Sequence, residues 1–253
     1  MKTKFKRSEI VTELADKNER LPAQSWLTKS TGNGGEKPMR AASQQRVCDI
    51  VAAAAEHFSE VGFAGSTREI AKRVGVTQPL LYRYFPTKDD LIEAVYRTEY
   101  LERWNPSWDA ALKDRSRPTR ERFEAFYRDY VQTAFTPIAL RLSYYAGLRD
   151  ADINAWHNHL IEELVLKQLV REHRVELGLP DEAYVSPSEL EPAWQIHGGL
   201  MHYGWRKHVL HLRVAPDVEQ VISDNLDMYF AVAPNIYSRN AHMNESDMGH
   251  DQK

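Results

Sequence analysis

Residues 66–88 constrain the fold of this chain more than any other segment, because they predict two short helices joined by a tight turn. Ser66 and Glu69 have the spacing of a capping box, in which two side chains satisfy backbone donors at a helix start. Gly75 stands where the first helix should end, since glycine adopts the left-handed backbone conformation without strain. The apolar residues of this helix share one face: Ile70, Ala71 and Val74.

The second helix has equally clear ends. Thr77 is a suitable N-cap, and Pro79 falls in the first turn, where a missing amide hydrogen costs little. Pro86 should end the helix, and Thr87 with Asp90 has the capping pattern for the helix that follows. The buried side of the second helix is predicted to contain Leu81 and Phe85.

The other side of the second helix has the chemistry of a DNA-reading surface. A glutamine amide can form two hydrogen bonds with adenine, apolar groups suit the thymine methyl, and hydroxyl and guanidinium groups suit phosphate. We therefore predict a helix-turn-helix whose second helix enters the major groove. An ordinary corner between two helices is the alternative. The residues predicted to be exposed are Thr77, Gln78, Pro79, Leu80, Tyr82, Arg83 and Tyr84.

From Arg46 to about Tyr96 the chain resembles the DNA-binding domain of the TetR family of bacterial transcriptional repressors. The resemblance implies a three-helix DNA-binding domain, a divergent helical domain behind it, dimerisation through the last two helices, and control by a small ligand. The matching residues are Ala53, Ala54, Phe58, Gly62, Phe63, Thr67, Ile70, Ala71, Gly75, Val76, Leu81, Tyr82, Tyr84, Phe85, Lys88 and Leu91.

The resemblance also implies where DNA is bound. To the residues on the exposed face of the second helix it adds Arg68, from the first helix, and Lys88, from the start of the third. The complete set of predicted DNA-binding residues is Thr67, Arg68, Thr77, Gln78, Pro79, Leu80, Tyr82, Arg83, Tyr84 and Lys88.

Composition argues against several classes of protein. The chain has 33 basic and 36 acidic residues, so it lacks the large basic excess of proteins that coat DNA. Residues 40–97 contain eight basic and seven acidic residues, so binding should depend on geometry and on dimer avidity. A single cysteine cannot form an internal disulfide, which favours a reducing, cytoplasmic location. No stretch approaches the roughly 18 apolar residues of a membrane span, so no membrane partner is expected.

We predict an all-α protein with two domains and flexible ends. Four segments are expected: a flexible N-terminal extension (1–42), the helix-turn-helix DNA-binding domain (43–104), a helical ligand-binding and dimerisation domain (105–236) and a disordered tail (237–253). Asn105 and Pro106 should end a helix over 88–104 and mark the domain boundary. The helices predicted beyond it are 120–135, 138–147, 152–177, 188–211 and 217–231.

The opening helix is predicted over 43–61 and should bury one apolar stripe. The stripe comprises Val47, Ile50, Val51, Ala54, Phe58 and Val61.

Aromatic residues in the second half of the chain predict a small-molecule site. Such sites combine apolar walls with a few hydrogen-bonding groups. Core packing is the alternative for the same residues. No inward cluster of arginine or lysine is predicted, so a mainly apolar, aromatic or cyclic effector is expected rather than an anion. The predicted ligand-binding residues are Phe126, Tyr130, Tyr144, Trp156, Trp194, His197 and Met201, with His157 as a further polar contact.

The ten histidines do not predict a metal site. No His-Glu-x-x-His or Glu-x-x-His spacing occurs, and a single cysteine argues against a thiolate zinc site. Neither a nucleophile elbow nor a glycine-rich nucleotide loop is present. No catalytic residue, metal or cofactor is therefore predicted, and the chain is not expected to be an enzyme.

The resulting hypothesis is a homodimeric repressor that binds a near-palindromic operator in double-stranded DNA and is released by a small, mainly apolar effector. Helices 188–211 and 217–231 should form the dimer interface, where Gly198, Gly199 and Gly204 would allow close helix approach. One alternative is a TetR-like activator or architectural factor without ligand control. Another is an all-α enzyme or metal-binding protein. The apolar residues assigned to the dimer interface include Ile196, Leu200, Val221, Ile222, Leu226 and Phe230.

Overall fold

The computed structural model describes residues 37–149 and 157–248, and every regular element within these ranges is helical. The predicted all-α class is confirmed. In chain order the helices are α1 (Lys37–Val61), α2 (Thr67–Val74), α3 (Gln78–Tyr84), α4 (Lys88–Tyr96, continued by a π-helical turn, Arg97–Leu101), α5 (Ser107–Lys113), α6 (Thr119–Ala134), α7 (Pro137–Arg149), α8 (157–176, with a π-helical turn at Glu162–Leu166), α9 (Pro187–His208) and α10 (Val218–Met248).

These helices form two compact units. The first contains α1 to α4 together with α7, and the second contains α5, α6, α8, α9 and α10. Most of the predicted N-terminal extension (1–42) and the last residues of the predicted tail (237–253) lie outside the described residues.

The turn between α2 and α3 has the backbone geometry that the sequence predicts. Gly75 ends α2 with φ 69° and ψ 33°, in the left-handed region. Thr87 and Asp90 form a reciprocal capping box at the start of α4. Ser66 caps α2 by accepting from the backbone N–H of Arg68 at 3.2 Å, in place of the capping box expected with Glu69.

One apolar core holds the first unit together. Residues from α1, α2, α3 and α4 meet in it, and burying each large apolar side chain stabilises the fold by about 1.5–3 kcal/mol. The predicted stripe of α1 is buried except for Val61, which is exposed because the chain turns away at Gly62 with φ 76°. The most deeply buried members are Ile50, Ala54, Phe58, Ile70, Leu81, Leu91 and Val95, together with Leu142 and Ala146 of α7.

Helix α7 belongs to the first unit, whereas the predicted boundary at residue 105 placed it in the second domain. The hydroxyl of Tyr96 donates to the carbonyl oxygen of Leu142 at 3.1 Å, and that of Tyr100 donates to the carbonyl of Ala139 at 2.5 Å. Both bonds are buried and join α4 and its π-helical turn to α7. Contacts across some forty residues leave no local pattern in the sequence, which explains the difference.

Helix α8 buries apolar residues on much of its surface within the second unit, which is typical of a central helix. Its core residues are Leu160, Ile161, Val165, Leu166, Leu169 and Val170. Glu172, near its end, accepts from Arg122 at 2.9 Å and from Arg115 at 3.0 Å. Burial alone would raise the pKa of Glu172, but the hydrogen bonds from Arg115 and Arg122 lower it below its ordinary value.

Two elements of the second unit differ from prediction. The seven-residue helix α5 is not predicted, and it is anchored by the buried Trp108 and Leu112. Helix α10 continues to Met248, so residues 237–248 of the predicted disordered tail are helical. Tyr237 stabilises this extension, because it is buried and its hydroxyl lies 2.7 Å from that of Tyr229.

The left-handed residue at the end of α2 can be tested by substitution. We expect Gly75→Ala to lower the free energy of unfolding by about 1 kcal/mol, because an L-residue with a Cβ is strained at this φ. Gly75→Asn should cost less, since asparagine enters this region more readily. The described residues leave the space around a Cβ at Gly75 open, so crowding should not contribute. Urea unfolding measures both variants, and an asparagine variant no more stable than the alanine variant would contradict the assignment.

Candidate nucleic-acid interface and ligand-binding residues

Helix α3 packs against the core of the first unit on one side and is exposed to solvent on the other. Leu81 is fully buried and packs into the core of the first unit. The opposite side is the surface predicted to bind DNA. Its exposed residues are Thr77, Pro79, Tyr82 and Arg83, and its half-buried residues are Gln78, Leu80 and Tyr84.

Hydrogen bonds connect Gln78 and Tyr82 of this surface to the start of α2. The Gln78 amide Nε2 donates to Oγ1 of Thr67 at 3.0 Å, and the same Oγ1 lies 3.1 Å from the Tyr82 hydroxyl. Gln78 and Tyr82 are four residues apart and therefore project from one side of α3. Thr67 is only 6% exposed, which leaves it little surface for the direct DNA contact predicted for it.

The predicted cationic residues lie on three successive helices. Arg68 is exposed in the first turn of α2, and Arg83 is exposed in the last turn of α3. Lys88 begins α4, where its Nζ lies 5.7 Å from the centre of the Phe58 ring. Positive charge at such positions is what contacts with the phosphate backbone require.

Hydroxyl groups complete the surface. The Thr77 side chain accepts from the backbone N–H of Leu80 at 3.4 Å and retains its own proton for an outside acceptor. Ser43 of α1 is a residue that the sequence pattern does not predict, and its Oγ donates to the Tyr84 hydroxyl at 3.5 Å. The two residues are 41 positions apart, so only the fold brings them together.

Comparison with known proteins identifies this arrangement. The model of a family described as bacterial regulatory proteins, tetR family, matches residues 50–95, which contain α2, α3 and the turn between them. Over these residues the chain is similar to the TetR family. The resemblance drawn from residues 46–96 is therefore confirmed.

A solved structure shares the fold of this chain. It is a protein from Mesorhizobium loti MAFF303099 assigned to the TetR family of transcriptional regulators. The match has a TM-score of 0.50 and covers 75% of this chain and 97% of the other, with 16% sequence identity. Identity this low shows the fold alone.

Four residues predicted to bind a ligand meet within the second unit. Phe126 and Tyr130 of α6 stack with ring centres 5.4 Å apart. The Tyr130 ring lies 5.7 Å from that of His197 on α9, and the Trp194 ring lies 6.0 Å from that of His197. We call these four residues and the adjoining Tyr127 and His157 the aromatic cluster.

Polar groups are buried within the aromatic cluster. The Tyr130 hydroxyl lies 3.3 Å from Nε2 of His157. In the described part of the chain, neither Nδ1 of His197 nor the hydroxyl of Tyr127 has a hydrogen-bond partner. Burial lowers the pKa of His157 to about 4, and burial with repulsion from His157 lowers that of His197 to about 3. Both imidazoles are therefore uncharged at neutral pH.

The other predicted ligand-binding residues stand apart from these contacts. Tyr144 is exposed on α7, which belongs to the first unit. Trp156 lies outside the described residues. Met201 is half-buried on α9, one turn after His197. Trp108 of the unpredicted helix α5 lies at the edge of the aromatic cluster, with its ring 5.2 Å from that of Phe126.

The described ranges, 37–149 and 157–248, contain no group of three histidine, cysteine, aspartate or glutamate residues placed to hold a metal ion. None of their helices combines the length and the apolar character needed to cross a membrane.

The buried imidazole of His197 predicts how stability depends on pH. Its folded-state pKa lies below the unfolded value of about 6.5, so the unfolded chain binds the proton more tightly and stability falls as the pH drops below about 6.5. Between pH 6.5 and 4.5 the titration of His197 should lower the free energy of unfolding by about 2 kcal/mol. In His197→Phe the loss of stability over this pH range should be smaller by that amount. In His202→Phe, which alters an exposed residue of the same helix, the loss should equal that of the wild type. Urea unfolding at several pH values measures this, and parallel profiles for all three proteins would contradict it.

Proposed function

We propose that this chain is a homodimeric transcriptional repressor, in which two copies of α3 bind a near-palindromic operator and a small uncharged effector releases the DNA. The supporting observation is the surface of α3 in a TetR-type domain, where Gln78 and Tyr82 are held by hydrogen bonds to Thr67. This surface combines a base-reading amide with groups that bind phosphate.

DNA binding is proposed to divide between two kinds of contact. Gln78 would read adenine in the major groove, because an amide can accept from N6 and donate to N7. Leu80 and Pro79 would face thymine methyl groups. The remaining residues of the set, apart from the buried Thr67, would bind phosphates and so fix the register of the helix without reading sequence. Those residues are Arg68, Thr77, Tyr82, Arg83, Tyr84 and Lys88.

Dimerisation is proposed through α9 and α10, but with different residues from those predicted. Ile196, Leu200, Ile222 and Leu226 are buried within their own chain, so they are not available to a second copy. Two other apolar residues of α10, Met228 and Val232, are available instead. They are 60% and 50% exposed and, because they are four residues apart, lie on one side of the helix. An exposed apolar pair on a helix loses water-accessible area when a second copy covers it.

The two adjacent glycines of α9, Gly198 and Gly199, have different surroundings. A Cβ on Gly199 would stand 2.8 Å from Oδ1 of Asn225, so Gly199 serves the packing of α9 against α10 in the same chain. Gly198 is exposed, and the described residues leave the space beside it open. We therefore assign the close approach of a second copy to Gly198.

Effector binding is proposed at the aromatic cluster. Buried polar atoms almost always have hydrogen-bond partners, so Nδ1 of His197 and the Tyr127 hydroxyl mark where a ligand could supply them. The imidazoles are uncharged, and stacked aromatic rings surround them. An uncharged aromatic molecule with a hydrogen-bonding group fits this chemistry, whereas an anion would be buried without a cationic partner.

Sequence-specific binding is tested by selecting duplexes from a random pool. The selected site should be nearly symmetric, with half-sites about one helical turn apart. Gln78→Ala should relax the preference at one base pair of each half-site and cost about 1–3 kcal/mol, whereas Tyr82→Phe should weaken binding to all sequences alike. Gln220→Ala, on exposed α10 sequence, is the matched control. Recovery of no symmetric site would refute the proposed dimeric reader.

The dimer interface is tested by a charge in its centre. We expect the wild type to be a dimer at micromolar concentration in light scattering, and Met228→Glu to shift it toward the monomer, because a charge would be buried at the interface. Binding to a two-half-site duplex should weaken while binding to one half-site stays the same, since avidity is lost. Leu177→Glu, at an exposed residue beyond α8, is the control. A monomeric wild type, or a dimer that tolerates both charges equally, would contradict this interface.

Effector binding is tested with a set of uncharged aromatic alcohols and amides. A binding compound should release the selected operator, and His197→Phe should weaken that compound by about 1–3 kcal/mol through loss of one hydrogen bond. Its melting temperature near pH 7 should change little, because Nδ1 has no partner within the described residues to lose. An effector whose affinity is the same for wild type and His197→Phe would place its site elsewhere.

A further inference from the structure

We infer that Thr67 is a positioning residue, which orients the base-reading Gln78 and the phosphate-binding Tyr82 together without touching DNA itself. This inference rests on the proposed function, because it assigns roles within the same surface. It follows from the burial of Thr67 and from the two hydrogen bonds that meet at its Oγ1.

The single hydroxyl proton of Thr67 sets the direction of both bonds. The Gln78 amide donates to Oγ1, so the Thr67 proton itself needs an acceptor. Among the described residues, the Tyr82 hydroxyl at 3.1 Å is the only acceptor in reach of Oγ1. A buried hydroxyl left without an acceptor is costly, so Thr67 donates to Tyr82. The bonds therefore run from Gln78 to Thr67 and from Thr67 to Tyr82.

This direction prepares Tyr82 to bind phosphate. Its oxygen accepts from Thr67, so its own proton is left for a partner outside the protein. Tyr82 is 37% exposed, which makes that proton accessible. Non-bridging phosphate oxygens act as acceptors, so they need such a donor. If Tyr82 instead donated to Thr67, no proton would remain for the phosphate.

The same bonds prepare Gln78 to read a base. After donating to Thr67, the amide keeps one N–H and its carbonyl oxygen. These are the donor and the acceptor that the major-groove edge of adenine requires. A long side chain loses rotamer freedom when it is ordered, and Thr67 imposes that order before DNA arrives. Base reading and phosphate binding thus share one buried hydroxyl.

Thr67→Val and Thr67→Ser test the inference as a pair. Valine keeps the shape of threonine and removes both hydrogen bonds, whereas serine keeps the hydroxyl. Each protein is titrated with the duplex selected by the wild type and with one in which the adenine read by Gln78 is replaced. Thr67→Val should lower discrimination between these duplexes by about tenfold, equivalent to ~1.4 kcal/mol. Thr67→Ser should discriminate as the wild type does.

Double variants separate positioning from a general loss of stability. In a Gln78→Ala protein, Thr67→Val should leave base discrimination unchanged, because no amide remains to be oriented. In a Tyr82→Phe protein, Thr67→Val should weaken binding to all sequences by less than it does in the wild type. Such non-additivity is expected only for residues that act through one another. A structural role would give the same loss in every background.

Side-chain amide signals in the free protein provide a readout that needs no DNA. The two Nε2 protons of Gln78 have separate chemical shifts in any state, because rotation about the amide C–N bond is slow. In NMR spectra of the wild type and of Thr67→Ser, the proton donated to residue 67 should be displaced from its shift in an unstructured peptide, and in Thr67→Val this displacement should disappear. Unchanged signals, full discrimination by Thr67→Val, or equal defects in Thr67→Val and Thr67→Ser would overturn the positioning role alone. A wild type that prefers no DNA sequence would overturn the proposed function, and the roles given to Gln78 and Tyr82 with it.

Discussion

The burial of Leu81 is the interaction on which the DNA-binding surface depends. This side chain is fully buried in the core of α1 to α4, so α3 has one fixed rotation about its own axis. A helix of seven residues has little stability of its own, because nucleating a helical turn is costly. Packing by Leu81 and the left-handed turn at Gly75 therefore determine which side chains of α3 reach solvent. That rotation places Gln78 and Tyr82 side by side on the proposed DNA-binding surface.

Hydrogen bonds within the first unit orient side chains and join helices that this packing brings together. Thr67, at the start of α2, forms hydrogen bonds with both Gln78 and Tyr82. Tyr96 and Tyr100 hold α7 through two backbone carbonyls, so α4 and α7 should move together within this unit. A π-helical turn begins at Arg97, between these two tyrosines, and such turns are frequent at functional sites.

Local signals in the sequence predicted the parts of the fold that local chemistry decides. The left-handed Gly75, the capping box of Thr87 and Asp90, and the buried face of Leu81 each depend on neighbours within a few residues. Contacts between distant residues were not predictable in this way. The bond from Ser43 to Tyr84 and the assignment of α7 to the first unit are examples.

The same distinction explains where the structure differs from the expectations for the second half of the chain. Gly199 looks in sequence like Gly198, but only the fold shows that Asn225 lies beside one of them. Apolar stripes on α9 and α10 indicate burial without showing whether the partner is the same chain or a second copy. Tyr144 was grouped with other aromatic residues because its helix was placed in the wrong unit.

Dimethyl sulfate footprinting tests most directly whether α3 enters the major groove. This reagent methylates guanine N7 in the major groove and adenine N3 in the minor groove, and a bound helix blocks the groove that it occupies. On the selected duplex we predict two symmetric patches of N7 protection, about one helical turn apart, with adenine N3 reactivity unchanged. Protection confined to adenine N3, or N7 protection in a single patch, would contradict the proposed binding of two α3 helices.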